Sequence, residues 1–269
     1  MQQANDFLDE SLALAVILEP LDGAGFGQQT LFKGWTIDDV IGHLHMFNYA
    51  AGLTLESGDE FDTWFAPIAE QMKAGKTLVE IQYGWLDGLA GRRLFDAWRS
   101  GCEHTARGYA DADPKQRVKW AGPDMSARSS ITARQMETWA HGQEVFDVLG
   151  QERRDTDRIR NIAHLGVTTH GWTFINRGEE VPDPPAYVRL TAPSGALWEW
   201  NEPQADNRVE GTASDFCQVV TQVRNIADTS LRITGHAAQH WMQQAQCFAG
   251  PPENPPAPGT RHISTPERS

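Results

Sequence analysis

The chain has 269 residues, enough for two domains each with its own core, and carries 23 basic against 36 acidic side chains for a net charge of -13. That balance repels nucleic-acid phosphates and anionic lipid surfaces, and no apolar run reaches the ~20 residues a membrane helix needs. Three cysteines, Cys102, Cys217 and Cys247, without a CxxC pair offer neither a disulfide framework nor a thiolate metal site.

In chain order, Phe7, Leu8, Leu12, Ala15 and Leu18 form the apolar stripe of a first helix that Pro20 and Gly23 end. Thr36 and Asp39 have the spacing of a capping box, and Ile37, Val40, Ile41, Leu44, Asn48 and Ala51 follow at helical intervals. This second helix carries His43 and His45. A short segment from Phe61 to Met72 leads into a third long helix, Leu78 to Tyr109, with Gly84, Gly88 and Gly91 as weak points. Ser129 or Ser130 caps a fourth helix running to Leu149, with Gly150 placed for a left-handed end. Four long helices predict a bundle over residues 1–152.

Residues 153–182 read as a linking helix, about Asp155 to Asn176, that stops at Pro182-Asp183-Pro184-Pro185. Beyond it, residues 183–250 read as a small α+β domain. Tyr187 to Thr191 and Ala196 to Trp200 form a hairpin around Pro193-Ser194-Gly195, Arg208 to Glu210 adds a strand, and helices cover Ala213 to Val223 and Gly235 to Phe248. Residues 251–269 are too proline-rich for a helix and read as an extended tail. The fold class is therefore α+β.

The residues that carry chemistry lie on the fourth helix, where Glu137 and His141 are four apart and share one face. Both are ligands for first-row metals, and an imidazole from another helix would complete a two-His, one-carboxylate set. Spacing alone also describes a solvated stripe, Arg134, Glu137, His141 and Glu144, opposite the apolar Ile131, Trp139 and Phe146. On the second helix His43 and His45 flank the apolar stripe, and residues two apart diverge by about 200°, so either can turn inward but not both. His236 and His240 form a rival pair, with no carboxylate within one turn.

Trp35-Thr36-Ile37-Asp38-Asp39-Val40-Ile41-Gly42-His43-Leu44, followed by Glu137-Thr138-Trp139-Ala140-His141-Gly142 and Asp147, resembles the DinB-like, mycothiol-dependent maleylpyruvate isomerase superfamily. The stretches Val209 to Cys217 and Phe248 to Pro252 resemble a metal-binding bacterial branch of it whose second domain is sterol-carrier-like. The resemblance implies a divalent metal held by His43, Glu137 and His141, zinc first, with iron or nickel as alternatives. It selects His43 over His45. It also implies a low-molecular-weight thiol (mycothiol, glutathione or CoA), a small-molecule substrate, and an isomerase or transferase; from the lack of a membrane-length run and of a signal-like N-terminus the protein is expected in the cytoplasm, as monomer or homodimer. The basic residue that the family's second domain contributes falls, by register, on Val223 or Arg224; Arg224 is the one able to fill that role. Arg134 binds a substrate carboxylate or orients Glu137, and Glu144 serves His141, acts as a base or lies in solvent. An acyl-CoA hydratase or isomerase, a non-haem Fe(II) enzyme and a non-catalytic binding module are the alternatives.

Overall fold

A computed structural model describes residues 1–264, and these divide into two compact units, Met1–Val148 and a second beginning at Leu149. In the first unit four long helices form an α-helical bundle: α1 (Gln2–Leu18), α3 (Ile37–Glu56), α6 (Gly91–Asp111) and α7 (Ala127–Val148). Both α1 and α3 pack against α6 and α7. Each helix buries apolar side chains between its neighbours, among them Phe7 and Leu14 of α1, Ile41 and Leu44 of α3, Trp98 of α6 and Trp139 of α7. One helical turn, α2 (Gly23–Phe26), precedes α3, and α4 (Gly58–Lys73) and α5 (Leu78–Leu86) pack on α3 from outside.

Local chemistry explains where the helices start and stop. The Thr36 capping box is present: the Asp39 amide donates to Thr36 Oγ1 at 3.1 Å and the Thr36 amide donates to Asp39 Oδ2 at 2.8 Å. It fixes the start of α3 two turns before His43. Thr77 and Glu80 repeat the device at α5. The helix expected from Leu78 to Tyr109 is broken, because Asp87 (φ 46°) and Gly88 (φ 76°) adopt the left-handed conformation that terminates a helix and α6 begins at Gly91. α7 starts at Ala127, earlier than Ser129 or Ser130, with Ser126 Oγ accepting from the Ser129 amide at 3.1 Å. Gly150 has φ 65°, as expected. Ahead of α7 lies a two-stranded ribbon of β1 (Arg117–Val118) and β2 (Met125–Ser126) that the sequence did not announce.

In the second unit a four-stranded sheet has the order β4-β3-β5-β6. The expected hairpin pairs β3 (Tyr187–Thr191) with β4 (Leu197–Trp200), Arg189 opposite Glu199. β5 (Arg208–Thr212) runs parallel to β3, and β6 (Arg232–Thr234) closes the sheet antiparallel to β5. Its inner face, Val188, Leu190, Trp198 and Val209, is buried. The helix expected from Asp155 to Asn176 is a 3-10 turn at Asp157–Ile159 followed by α8 (Arg160–Thr168) and α9 (His170–Ile175). α8 packs on α10 (Ala213–Val220) so closely at Gly166 that a Cβ there would meet Val220 Cγ2 at 2.7 Å. α10 ends three residues before the expected Val223, with Gln222 left-handed (φ 58°), and α11 (His236–Gln244) ends before Phe248. From Pro251 to residue 264 there is no helix or strand, and residues 265–269 of the expected tail lie outside the described residues. No helix among the described residues is long and apolar enough to cross a membrane.

Candidate metal centre

Three donor atoms converge inside the bundle of the first unit. His43 Nε2, from α3, lies 3.4 Å from Glu137 Oε2, and His141 Nε2, one turn further along α7, lies 3.3 Å from the same oxygen. Among the described residues this is the group of three metal-capable side chains that comes together, with all ligand atoms within 4.8 Å of one another. The spacing is informative because donors bound at ~2.0–2.1 Å to a tetrahedral ion sit about 3.3 Å apart. Both nitrogen-to-oxygen separations match that edge. They are also longer than a strong charge-assisted hydrogen bond, ~2.7–2.9 Å, so the imidazoles hold the carboxylate only by long hydrogen bonds.

Electrostatics favour the same reading. Burial pushes His43 down to about 4 against the opposing pull of Glu137, so its ring is neutral near pH 7 and has no proton to give up before ligation. Burial alone would raise the Glu137 carboxyl, but hydrogen bonding and charge from the two imidazoles together hold it well below the usual carboxylate range. Two imidazoles and a carboxylate are a donor set for zinc, iron or nickel. The convergence of these atoms therefore fits the divalent metal that the sequence resemblance implies.

Aromatic rings enclose the centre. Trp35 stacks on His141 (centroids 5.7 Å apart, planes 8° from parallel) and also touches His43 at 5.4 Å. Phe32 meets the His141 ring edge-on at 5.0 Å, Phe47 lies 4.9 Å from the His43 ring, and Trp120 lies 6.2 Å from Phe47. These rings fix the imidazole orientations and keep bulk water from one side of the donors. Of them, only Trp35 was singled out by sequence.

The α7 stripe Arg134, Glu137, His141 and Glu144 is not a solvated face. Arg134 and Glu144 are each 2% exposed, and Glu137 and His141 are largely shielded, which overturns the solvent-facing alternatives for the stripe and for Glu144. Arg134 Nε donates to Asn48 Oδ1 at 3.0 Å, and the Asn48 amide reaches Cys102 Sγ at 3.4 Å. Asn48 was read as one more position of an apolar stripe; a polar residue in that stripe was the available signal. Cys102 is buried and its thiol is pushed up to about 12, chiefly by desolvation, so it is not a nucleophile. His45 is held elsewhere, against Trp85 at 5.4 Å and beside the Cα of Gly101. Arg224 belongs to the second unit, follows α10, and is buried there with Nη1 donating to the Val223 carbonyl. The rival histidines do not converge on a metal: His240 Nε2 lies 2.7 Å from Glu179 Oε2 while His236 stacks on His240 at 6.3 Å.

Comparison with known proteins gives consistent findings. A family model described as the mycothiol maleylpyruvate isomerase N-terminal domain matches residues 7–146. Two uncharacterised proteins of Mycobacterium tuberculosis, from strains CDC 1551 / Oshkosh and ATCC 25618 / H37Rv, are each 37% identical over 251 residues, covering 92% of this chain and 95% of theirs. The crystal structure of the mycothiol-dependent maleylpyruvate isomerase is similar with a TM-score of 0.52 at 16% identity, over 81% of this chain and 87% of that one. A mutant of the same enzyme gives 0.51 over the same shares. At that identity the likeness to the solved structures establishes the α+β fold.

Proposed function

Because the chain belongs to the mycothiol maleylpyruvate isomerase N-terminal domain family, we propose that it is a metal-dependent enzyme using a low-molecular-weight thiol on a small electrophile. The observation that carries this reading is the meeting of His43 Nε2 and His141 Nε2 at one oxygen of Glu137. His43, Glu137 and His141 would hold the ion. A divalent ion bound by three protein ligands with an open position lowers the pKa of a thiol or water bound there, making a nucleophile near neutral pH.

The chain's own residues prepare that event. The capping box of α3 and the i,i+4 spacing on α7 set the donors in place before any ligand arrives, so little reorganisation is required on binding. Trp35 and Phe32 shield the His141 side of the centre, lowering the local dielectric and so strengthening any charge interaction made there. Glu144, buried one turn beyond His141, is assigned to proton handling. If the thiol leaves again after the substrate has rotated about the attacked bond, the enzyme is an isomerase; if it stays, a transferase.

The test is a screen of metal-loaded protein with mycothiol, glutathione and CoA against conjugated electrophiles. We expect turnover that requires one of these thiols and is lost in His43→Ala, and reduced turnover in Glu144→Gln with metal content retained. Turnover equally fast without thiol would contradict the assignment and return an acyl-CoA or hydrolytic step to the front.

A further inference from the structure

We propose that Arg134 is the anion anchor of this centre, and that the ligands it accepts are planar molecules carrying a carboxylate remote from the metal-binding atom. The inference rests on the metal reading above and deepens it.

Arg134 is 2% exposed, inside the bundle, one turn before Glu137 on the same stripe of α7. A guanidinium taken out of water is normally matched with a carboxylate. Here the acceptor for Nε is the neutral amide of Asn48, at 3.0 Å, and Nη2 is buried with no hydrogen-bond partner among the described residues. The carboxylate whose field opposes the desolvation of Arg134 is Glu137, which is also the central donor of the metal group. When Glu137 serves a divalent cation, its charge is spent there and Arg134 loses its counter-charge. The centre then has an excess of positive charge in a shielded space, more than one bound thiolate neutralises. A second anionic group on the ligand restores the balance, and a buried guanidinium with a free Nη2 suits a carboxylate.

Phe47 gives the ligand its shape. Its ring lies 4.9 Å from the His43 ring and 5.9 Å from the Arg134 guanidinium carbon, so it borders both ends of the site. A molecule reaching from the metal donors to Arg134 runs along that ring, which favours a flat, conjugated body over a bulky saturated one. The Arg134 side chain thus touches the substrate in this scheme, and its fixed position comes from Asn48, itself tied to Cys102 and, through its carbonyl, to Thr105.

Benzoate and benzamide test this, being matched in shape and differing in charge. Calorimetric titration of the metal-loaded full chain should show benzoate binding at least about tenfold more tightly. In Arg134→Gln, with metal content unchanged, the preference should disappear. A preserved benzoate preference in Arg134→Gln overturns the proposal, and so does loss of metal from that variant, which would make Arg134 a support for Glu137 instead. Should Arg134→Gln not fold, the arginine Nε–H resonances of the wild-type protein decide: benzoate should shift a solvent-protected one and benzamide none, and no shift with benzoate refutes the anchor. Elemental analysis that finds no metal counts against the metal reading alone, and the resonance measurement still reads Arg134 directly.

Discussion

As a proposed metal ligand, His43 sits where two demands meet: it must be neutral to bind a metal and it must be buried to be oriented. Burial meets both by pushing its pKa down to about 4 from an ordinary 6.5. Between these values the unfolded chain takes up a proton that the folded chain refuses, so the metal-stripped protein should lose stability as pH falls from about 6.5 toward 4. The slope owed to His43 is about 1.4 kcal/mol per pH unit. Above pH 6.5 the group contributes no pH dependence. Burial also lowers His45 and His170, so the clean measurement is the difference in denaturant unfolding between wild type and His43→Gln across this window. Equal acid sensitivity in the two proteins would refute the assignment. The convergence of the three proposed ligands was legible, but the burial of Arg134 and Glu144 was not. A polar stripe on a helix looks the same in sequence whether it faces water or a buried site.

The helices place the donors, and their boundaries follow local rules to different degrees. The Thr36 box was readable from two residues and holds the start of α3; Thr36→Ala should cost about 1 kcal/mol in urea unfolding. A change below a few tenths would mean that packing, not the cap, fixes that end. By contrast the break between α5 and α6 was marked by Gly88 and Gly91 and still read through, because apolar residues continue at helical spacing on both sides of a left-handed Asp87. β1, β2 and β6 are two or three residues long, too short to show an alternating pattern. Glycine at 235 was treated as a helix start, whereas its φ of 92° and a would-be Cβ 2.1 Å from the Asp206 carbonyl oxygen demand it. Gly235→Ala should therefore destabilise the second unit by roughly 2 kcal/mol or more, read by thermal unfolding; an unchanged transition would show that the backbone moves freely there.

At the scale of the molecule, the sequence sufficed for the fold class because helix-length segments bounded by caps and breakers, and a hairpin around Pro193-Ser194-Gly195, can be read even though α7 carries almost no net amphipathicity. The net charge of -13 argues against polyanionic partners and is compatible with a small-molecule enzyme. All three proposed ligands lie in the first unit, on two helices of its bundle, so metal binding ties α3 to α7. A ligand that binds the folded state alone stabilises it by about 4 kcal/mol at a thousandfold excess over its Kd, and chelation should lower the melting temperature accordingly. An identical melting curve with and without chelator would argue that no metal holds the two helices together. The most direct test of the central claim is elemental analysis of purified wild type beside His43→Ala. The account predicts close to one divalent metal per wild-type chain and a large loss in the variant, whereas a metal-free wild type, or a variant with unchanged content, would contradict it.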